Sequence, residues 1–209
     1  MNESPFFTIP SQLRTLQART AELGFNMASE RGAGNLLQIL AASTPSGRFL
    51  ELGTGTGIAT AWLLSGMDEH STLISIDTDP HFQSVAQEIL GADPRLTLLT
   101  EDAEAWLTSR AAILPPFPAP AIDQPEKFDL IFADAMPGKF TALDQALNLV
   151  APHGFYVVDD LLPQPNWPEG HAEKIPPLLY TLSSDPRFVS LTMAWASGIA
   201  ILVRLPPQP

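Results

Sequence analysis

Residues 49–59 read Phe49-Leu50-Glu51-Leu52-Gly53-Thr54-Gly55-Thr56-Gly57-Ile58-Ala59. Apolar residues lead into an acid, three glycines alternate with threonines, and a helix-like run from Ile58 to Ser65 follows. The pattern predicts a strand, a tight glycine turn and a helix start. Glycine belongs where the backbone turns sharply and must approach a ligand with no Cβ in the way. A dinucleotide fingerprint, G-x-G-x-x-G, would need its third glycine at position 58, which is Ile58. Here the order is E-x-G-x-G-x-G, with the Glu51 carboxylate two residues before Gly53. A carboxylate beside such a loop suits a ligand with a cationic end and suits a pyrophosphate badly, because like charges repel.

In this spacing Glu51, Gly53, Gly55 and Gly57 resemble the first motif of class I S-adenosylmethionine-dependent methyltransferases. The resemblance implies that these four residues bind the methyl donor. On this stretch alone, a glycine-rich turn in some other α/β protein is the alternative.

Working outward, the chain of 209 residues is long enough for one domain with a substantial core. Apolar residues make up 45%, as in globular proteins. The formal net charge of −12, with no run of Lys or Arg, argues against a phosphate-backbone partner such as DNA or RNA. No apolar stretch reaches the ~18 residues of a membrane span, and no basic-then-apolar leader opens the chain. A soluble cytoplasmic protein is therefore the expectation. Without cysteine, disulfides and thiolate metal sites are excluded.

Residues 1–10 read as a lead peptide. Helices follow from Ser11 to Gly24 and from Ser29, a cap candidate, through Leu40. These form an N-terminal part over residues 1–45, set before a core over residues 46–209 of the same single domain. Strand Ser71–Ile76 ends in Asp77, twenty residues past Gly57, where an α/β nucleotide fold places an acid for the two ribose hydroxyls. The rival role for Asp77 is that of a turn residue. Helix His81–Leu90 and strand Arg95–Thr100 come next. At the end of that strand Asp102, beside the small Ala103, has two roles open to it that do not exclude one another, meeting an adenine amino group and capping helix 105–112. Five prolines between Ile113 and Glu126 predict a stiff surface loop. Strand Phe128–Phe132 then leads to Asp134, helix Thr141–Val150 to a turn at 151–154, and strand Phe155–Val158 to Asp159-Asp160. A short helix near Pro177–Leu182 and two strands, 188–194 and 198–205, turning at Ser197-Gly198, close the chain.

Each of the first five strands thus ends in or near an acid, at the edge where open parallel sheets bind their ligands. From about residue 25 onward the chain resembles the small O-methyltransferases of the catechol and caffeoyl-CoA type. That resemblance implies a Rossmann-like class I methyltransferase fold. It would be α/β, with a seven-stranded, mostly parallel sheet, one antiparallel strand and helices on both faces. It further implies S-adenosyl-L-methionine as cofactor, a homodimer, and Met27, Ala28 and Ser29 closing over the donor. It also implies a divalent ion such as Mg²⁺ on Asp134, Asp159 and Asp160, with Asp134 near donor and acceptor alike. Two departures stand out. Asp160 occupies the family's Asn position, and Pro137 the position of its lysine, the nearest lysine being Lys139.

Methyl transfer from a sulfonium requires the enzyme to align two partners and take a proton from the acceptor. Asp134, Lys139 and Asp160 are the catalytic candidates. Lys139 reads equally well as a surface lysine before a helix, and His171 as a helix-start residue or a lining of the acceptor pocket. The function implied is O-methylation of a small hydroxylated, catechol- or phenol-like molecule. An aminopropyltransferase-like enzyme and a non-catalytic donor-binding module are the rivals.

Overall fold

The computed structural model describes residues 8–111 and 127–207. The expectations for segment 1–7 and for the proline-rich stretch 113–126 lie outside the described residues.

Two helices, α1 (Leu13–Glu22) and α2 (Arg31–Ala42), precede an alternation of strand and helix. The alternation runs β1 (Arg48–Leu52), α3 (Ile58–Gly66), β2 (Thr72–Asp77), α4 (Pro80–Leu90), β3 (Leu96–Thr100) and α5 (Ala103–Ala111). It continues with β4 (Phe128–Ala133), α6 (Leu143–Leu149), β5 (Val150–Val158), α7 (Ile175–Ser184), β6 (Phe188–Met193) and β7 (Ile199–Arg204). The strands form one sheet in the order β3-β2-β1-β4-β5-β7-β6. The first five are parallel, and β7 runs antiparallel to both of its neighbours. This is the expected fold, a Rossmann-like sheet with one reversed strand. The chain leaves β1 first toward β2 and later returns to β4 on its other side, so a crevice opens between them at the carboxyl ends.

Alternate residues of each central strand feed two separate cores, one per sheet face. Phe49, Leu130, Phe132 and Val157 point to the side of α1–α4, against Leu16, Leu37, Trp62 and Val85. Leu50, Leu52, Ile131 and Tyr156 point to the side of α5–α7, against Leu107, Leu147 and Leu178. Helices thus cover both faces. No helix among the described residues is long and apolar enough to cross a membrane.

Three local expectations are corrected. Ser29 does not cap α2, whose N-cap is Glu30 without a side-chain hydrogen bond, because the Ser29 hydroxyl is engaged elsewhere. Helix α6 starts at Leu143 rather than Thr141, since residues 136–141 form a closed turn with a bridge between Pro137 and Thr141. The expected turn at 151–154 is absorbed into β5 as an irregularity. Phe128 pairs with Val150 but Leu130 with Phe155, so the extra residues are looped out of register.

Candidate active site

The glycine loop is pinned from two sides. Gly53 takes φ +102°, and a Cβ there would lie 2.7 Å from the Asp134 carbonyl oxygen, so only glycine lets β1 and β4 exit side by side. The N–H of Gly55 donates to Asp77 Oδ2 at 2.7 Å, and the N–H of Asp79 donates to Asp77 Oδ1 at 2.9 Å. Asp77 therefore serves as a turn acid and still faces the crevice. Above the loop, Phe25 packs against Phe82 with ring centroids 4.6 Å apart. Thr20 of α1 shares a 2.7 Å hydrogen bond with Thr56, so the N-terminal helix grips the loop directly.

A cavity of about 370 Å³ opens along the carboxyl edge of the sheet, within the range of small-molecule sites. Met27, Gly53, Gly55, Asp77 and Phe82 line it, as do Asp134, Lys139, Phe140, Asp160, Trp167 and His171. Strand order separates these residues, with Asp77 at the tip of β2 on one side and Asp160 just past β5 on the other.

Asp134 is at the junction. Ser29 donates to its Oδ2 at 3.1 Å, and the Lys139 ammonium lies 3.7 Å from its Oδ1. Burial pushes the Asp134 carboxyl well above the usual range, the nearby Asp159 charge adds to this, and Lys139 opposes it. Lys139 is only 3% exposed, so it is a cavity residue and not a surface lysine. The turn that brings it there is stiff. Gly138 has φ +82° and its N–H donates to the Thr141 carbonyl at 2.7 Å. The Phe140 N–H donates to the Met136 carbonyl at 2.8 Å, and the buried Tyr156 hydroxyl donates to the Gly138 carbonyl.

His171 leads the short 3₁₀ turn Ala172–Lys174, its expected helix-start place, and it also lines the cavity. Its ring stands edge-on to Phe140 and 4.5 Å from Trp167, and burial lowers its pKa. The Asn166 side chain donates to the Asn26 carbonyl at 2.7 Å, joining the α1–α2 connection to the loop after β5.

Four of the expected cofactor residues, Glu51, Gly57, Asp102 and Ala103, do not line the cavity. Glu51 is completely buried, and its Oε2 accepts from Thr60 at 2.6 Å and Ser75 at 2.5 Å. Ser75 also meets the Thr54 hydroxyl, and Thr54 meets Gln83, so Glu51 anchors a polar chain under the glycine loop. Burial raises its pKa to about 7. Asp102 accepts from the Ala105 N–H at 2.8 Å and so caps α5, which begins at Ala103 rather than 105.

Asp159 is also turned inward. It is 1% exposed, and its Oδ1 accepts from the Ser197 hydroxyl and from the Asp160 N–H. Asp160 holds φ +59°, uncommon for a residue with a side chain. A divalent ion would need several oxygens converging on one point. Among the described residues no group of three or more His, Cys, Asp or Glu side chains is so arranged. Asp134, Asp159 and Asp160 therefore do not fit the metal that the resemblance implies.

Sequence reasoning missed three partners. Phe82 and Ser197 looked like ordinary helix and hairpin residues, and Asn166 sat in a polar loop. The hydrogen bond from Ser29 to Asp134 was not legible either, since in sequence Ser29 is only a serine just before a helix.

A doubly wound sheet with an acid-lined cavity at its switch point is the architecture of the nucleotide-binding α/β folds. Residues 50–161 match the family model described as "Methyltransferase domain", which covers more than half of the chain, and the protein belongs to that family. A protein of Mycolicibacterium vanbaalenii, assigned provisionally by its name to the O-methyltransferases, is 32% identical over 67% of this chain and 58% of its own length. One from Mycobacterium sp. strain KMS, with the same provisional name, is 36% identical over 50% of this chain and 43% of its own. The chain thus spans about half the length of these curated relatives. Among solved structures, the O-methyltransferase TomG from Streptomyces achromogenes, in complex with SAM, superposes with a TM-score of 0.76. It covers 97% of this chain and 93% of that one at 20% identity. The O-methyltransferase from Bacillus cereus, in complex with SAH, gives 0.75, 96%, 93% and 18%. At such identities the likeness is one of fold.

Proposed function

We propose that this protein transfers the methyl group of S-adenosylmethionine to the oxygen of a small hydroxylated aromatic molecule. The observation that carries the reading is that one cavity joins two unlike ends. At one end Asp77, whose two oxygens accept from the Gly55 and Asp79 N–H groups, lines the space. At the other the buried Asp134 stands among Ser29, Lys139 and a group of aromatic rings. The first end suits a ribose and the second a planar, hydroxyl-bearing acceptor. The named ligands of the two fold relatives, SAM for TomG and SAH for the Bacillus cereus enzyme, agree with the first half of this reading.

In the proposed step Met27 and Phe25 cover the donor, and Gly53 and Gly55 let it lie close to the backbone. Glu51 supports the loop from below. Asp134 takes the acceptor's hydroxyl proton, since its buried position favours the protonated product. The oxygen's electron pair forms the new O–CH₃ bond as the S–CH₃ bond breaks, and that pair returns to sulfur. The sulfonium becomes the neutral thioether S-adenosylhomocysteine. No step runs through a metal, because Asp159 is committed to Ser197 and to the chain. Aromatic walls at Phe140, Trp167 and His171 would exclude water and hold the acceptor flat.

Calorimetric titration with S-adenosylmethionine, S-adenosylhomocysteine and NAD tests the donor half. Micromolar affinity for the two sulfur nucleotides and none for NAD is expected. Heat from NAD alone would replace this reading with a redox one. Binding of the sulfur nucleotides with no turnover of any phenol, catechol or hydroxylated heteroaromatic would leave a donor-binding module.

A further inference from the structure

We propose that the ε-ammonium of Lys139 is the resident cation of the acceptor end, holding the acceptor oxygen and its developing negative charge where related folds would call for a metal ion. This rests on the methyl-transfer reading of the cavity.

Three observations converge. First, Lys139 is 3% exposed yet lines the cavity, and its Nζ lies 3.7 Å from Asp134 Oδ1. That distance is an ion pair but too long for a hydrogen bond. Among the described residues the ammonium makes no direct hydrogen bond, so a largely buried side chain brings to the cavity a cation with three N–H donors available. Burying such a group is costly unless an acceptor meets it, and an acceptor oxygen entering between Asp134 and Lys139 would do so.

Second, the carboxylates are disposed for one charge rather than for an ion. Asp159 spends Oδ1 on Ser197 and on the Asp160 N–H and does not line the cavity, which leaves Asp134 and Asp160 facing it. A single fixed positive charge beside Asp134 needs no ring of oxygens.

Third, the turn that delivers Lys139 is built for the purpose. Pro137 stands where relatives by resemblance carry lysine, and the chain then folds back on itself. The Pro137–Thr141 bridge, the positive φ of Gly138 and the Tyr156 hydroxyl on the Gly138 carbonyl hold that fold. A Cβ on Gly138 would lie 2.4 Å from Leu52 Cδ1, so the turn is packed onto the core of the sheet. Lys139 thereby regains a place in the site two residues later in the sequence. An ammonium is a compact charge on a flexible stem, and here the stem is immobilised by its surroundings.

The test has two arms. In the first, Mn²⁺ is titrated into the metal-stripped protein with saturating S-adenosylhomocysteine, and free Mn²⁺ is followed by electron paramagnetic resonance. All of it should remain free. One ion bound per chain at sub-millimolar concentration would overturn the proposal, whatever the donor result. In the second arm, Lys139→Gln and Lys139→Arg are compared with the wild type using 4-nitrocatechol as acceptor probe. The Gln variant should keep its S-adenosylhomocysteine affinity and melting temperature while losing about 10²–10³-fold in kcat, the usual effect of removing one transition-state donor. Arg should restore part of it, and neither Mg²⁺ nor a chelator should change any of the three. Undiminished kcat in Lys139→Gln, or loss of wild-type turnover with chelator and recovery with Mg²⁺, would overturn it. A missing S-adenosylhomocysteine signal in the wild type would instead remove the methyl-transfer reading, and this proposal with it.

Discussion

The N–H of Gly55 donates to Asp77 Oδ2 at 2.7 Å, so the carboxylate at the tip of β2 helps to fix the glycine loop after β1. The acid proposed to hold the ribose therefore also holds the loop beneath the donor. Asp77→Ala should weaken S-adenosylhomocysteine binding by about 1–3 kcal/mol, the cost of leaving polar partners unmet, or roughly 5- to 150-fold. Calorimetry reads this directly. Unchanged affinity would take Asp77 out of the donor site.

Asp134 is proposed to accept the acceptor's proton and must be ionised to do so. Its raised pKa, caused first by burial and then by the Asp159 charge, places the acid limb of kcat/KM above the ordinary carboxylate range. Activity should fall as pH drops through that value. Asp134→Asn should lose about 10²–10⁴-fold in turnover and lose the limb, with donor affinity within a few-fold of wild type. A pH–rate profile that keeps its limb in the variant would assign the base elsewhere.

Glu51 makes the opposite kind of statement, about stability. Its folded-state pKa is raised from 4.5 to about 7 by burial, so the folded protein holds a proton that the unfolded chain releases. Its contribution to stability is full below pH 4.5 and declines as pH rises to about 7, by roughly 3 kcal/mol in total. Glu51→Gln, neutral throughout, should lack that decline. Melting curves from pH 4.5 to 8 should show the variant gaining on the wild type across the interval, and parallel curves would refute the buried proton.

Gly138→Ala places a methyl group 2.4 Å from Leu52 Cδ1 at a backbone angle of +82°. Overpacking of this kind costs about 1–3 kcal/mol. The melting temperature should fall, and turnover should fall further than donor affinity because the turn carries Lys139. Tyr156→Phe, which removes the hydroxyl from the Gly138 carbonyl, should give a milder form of the same defect.

Much of the fold was legible because hydrophobic alternation and glycine spacing are local signals. The run from Phe49 to Ala59 announced strand, turn and helix, and the seven strands emerged near their expected places along the chain. Asp77 and Asp134 were legible as strand-end acids, and both face the cavity. What local signals could not give is side-chain direction. Glu51 and Asp159 also sit at strand ends, yet they point into the protein, because Thr60 and Ser75 for one and Ser197 for the other complete their hydrogen bonds. Those partners lie 9 to 38 residues away. Lys139 was ambiguous for a related reason. Only the closed turn at 136–141, stabilised by a tyrosine on another strand, decides that it faces inward.

Strand β7 follows β6 in sequence but lies between β5 and β6 in the sheet, and the turn before it carries Ser197 to Asp159. During synthesis, then, β6 leaves the ribosome with no strand to pair with, and β5 waits with an open edge. The residues proposed for chemistry are all translated by position 171, yet the support behind Asp159 arrives only with residue 197. A nascent chain would have its donor loop before it had a finished acceptor end, and the site would come together as the sheet closes.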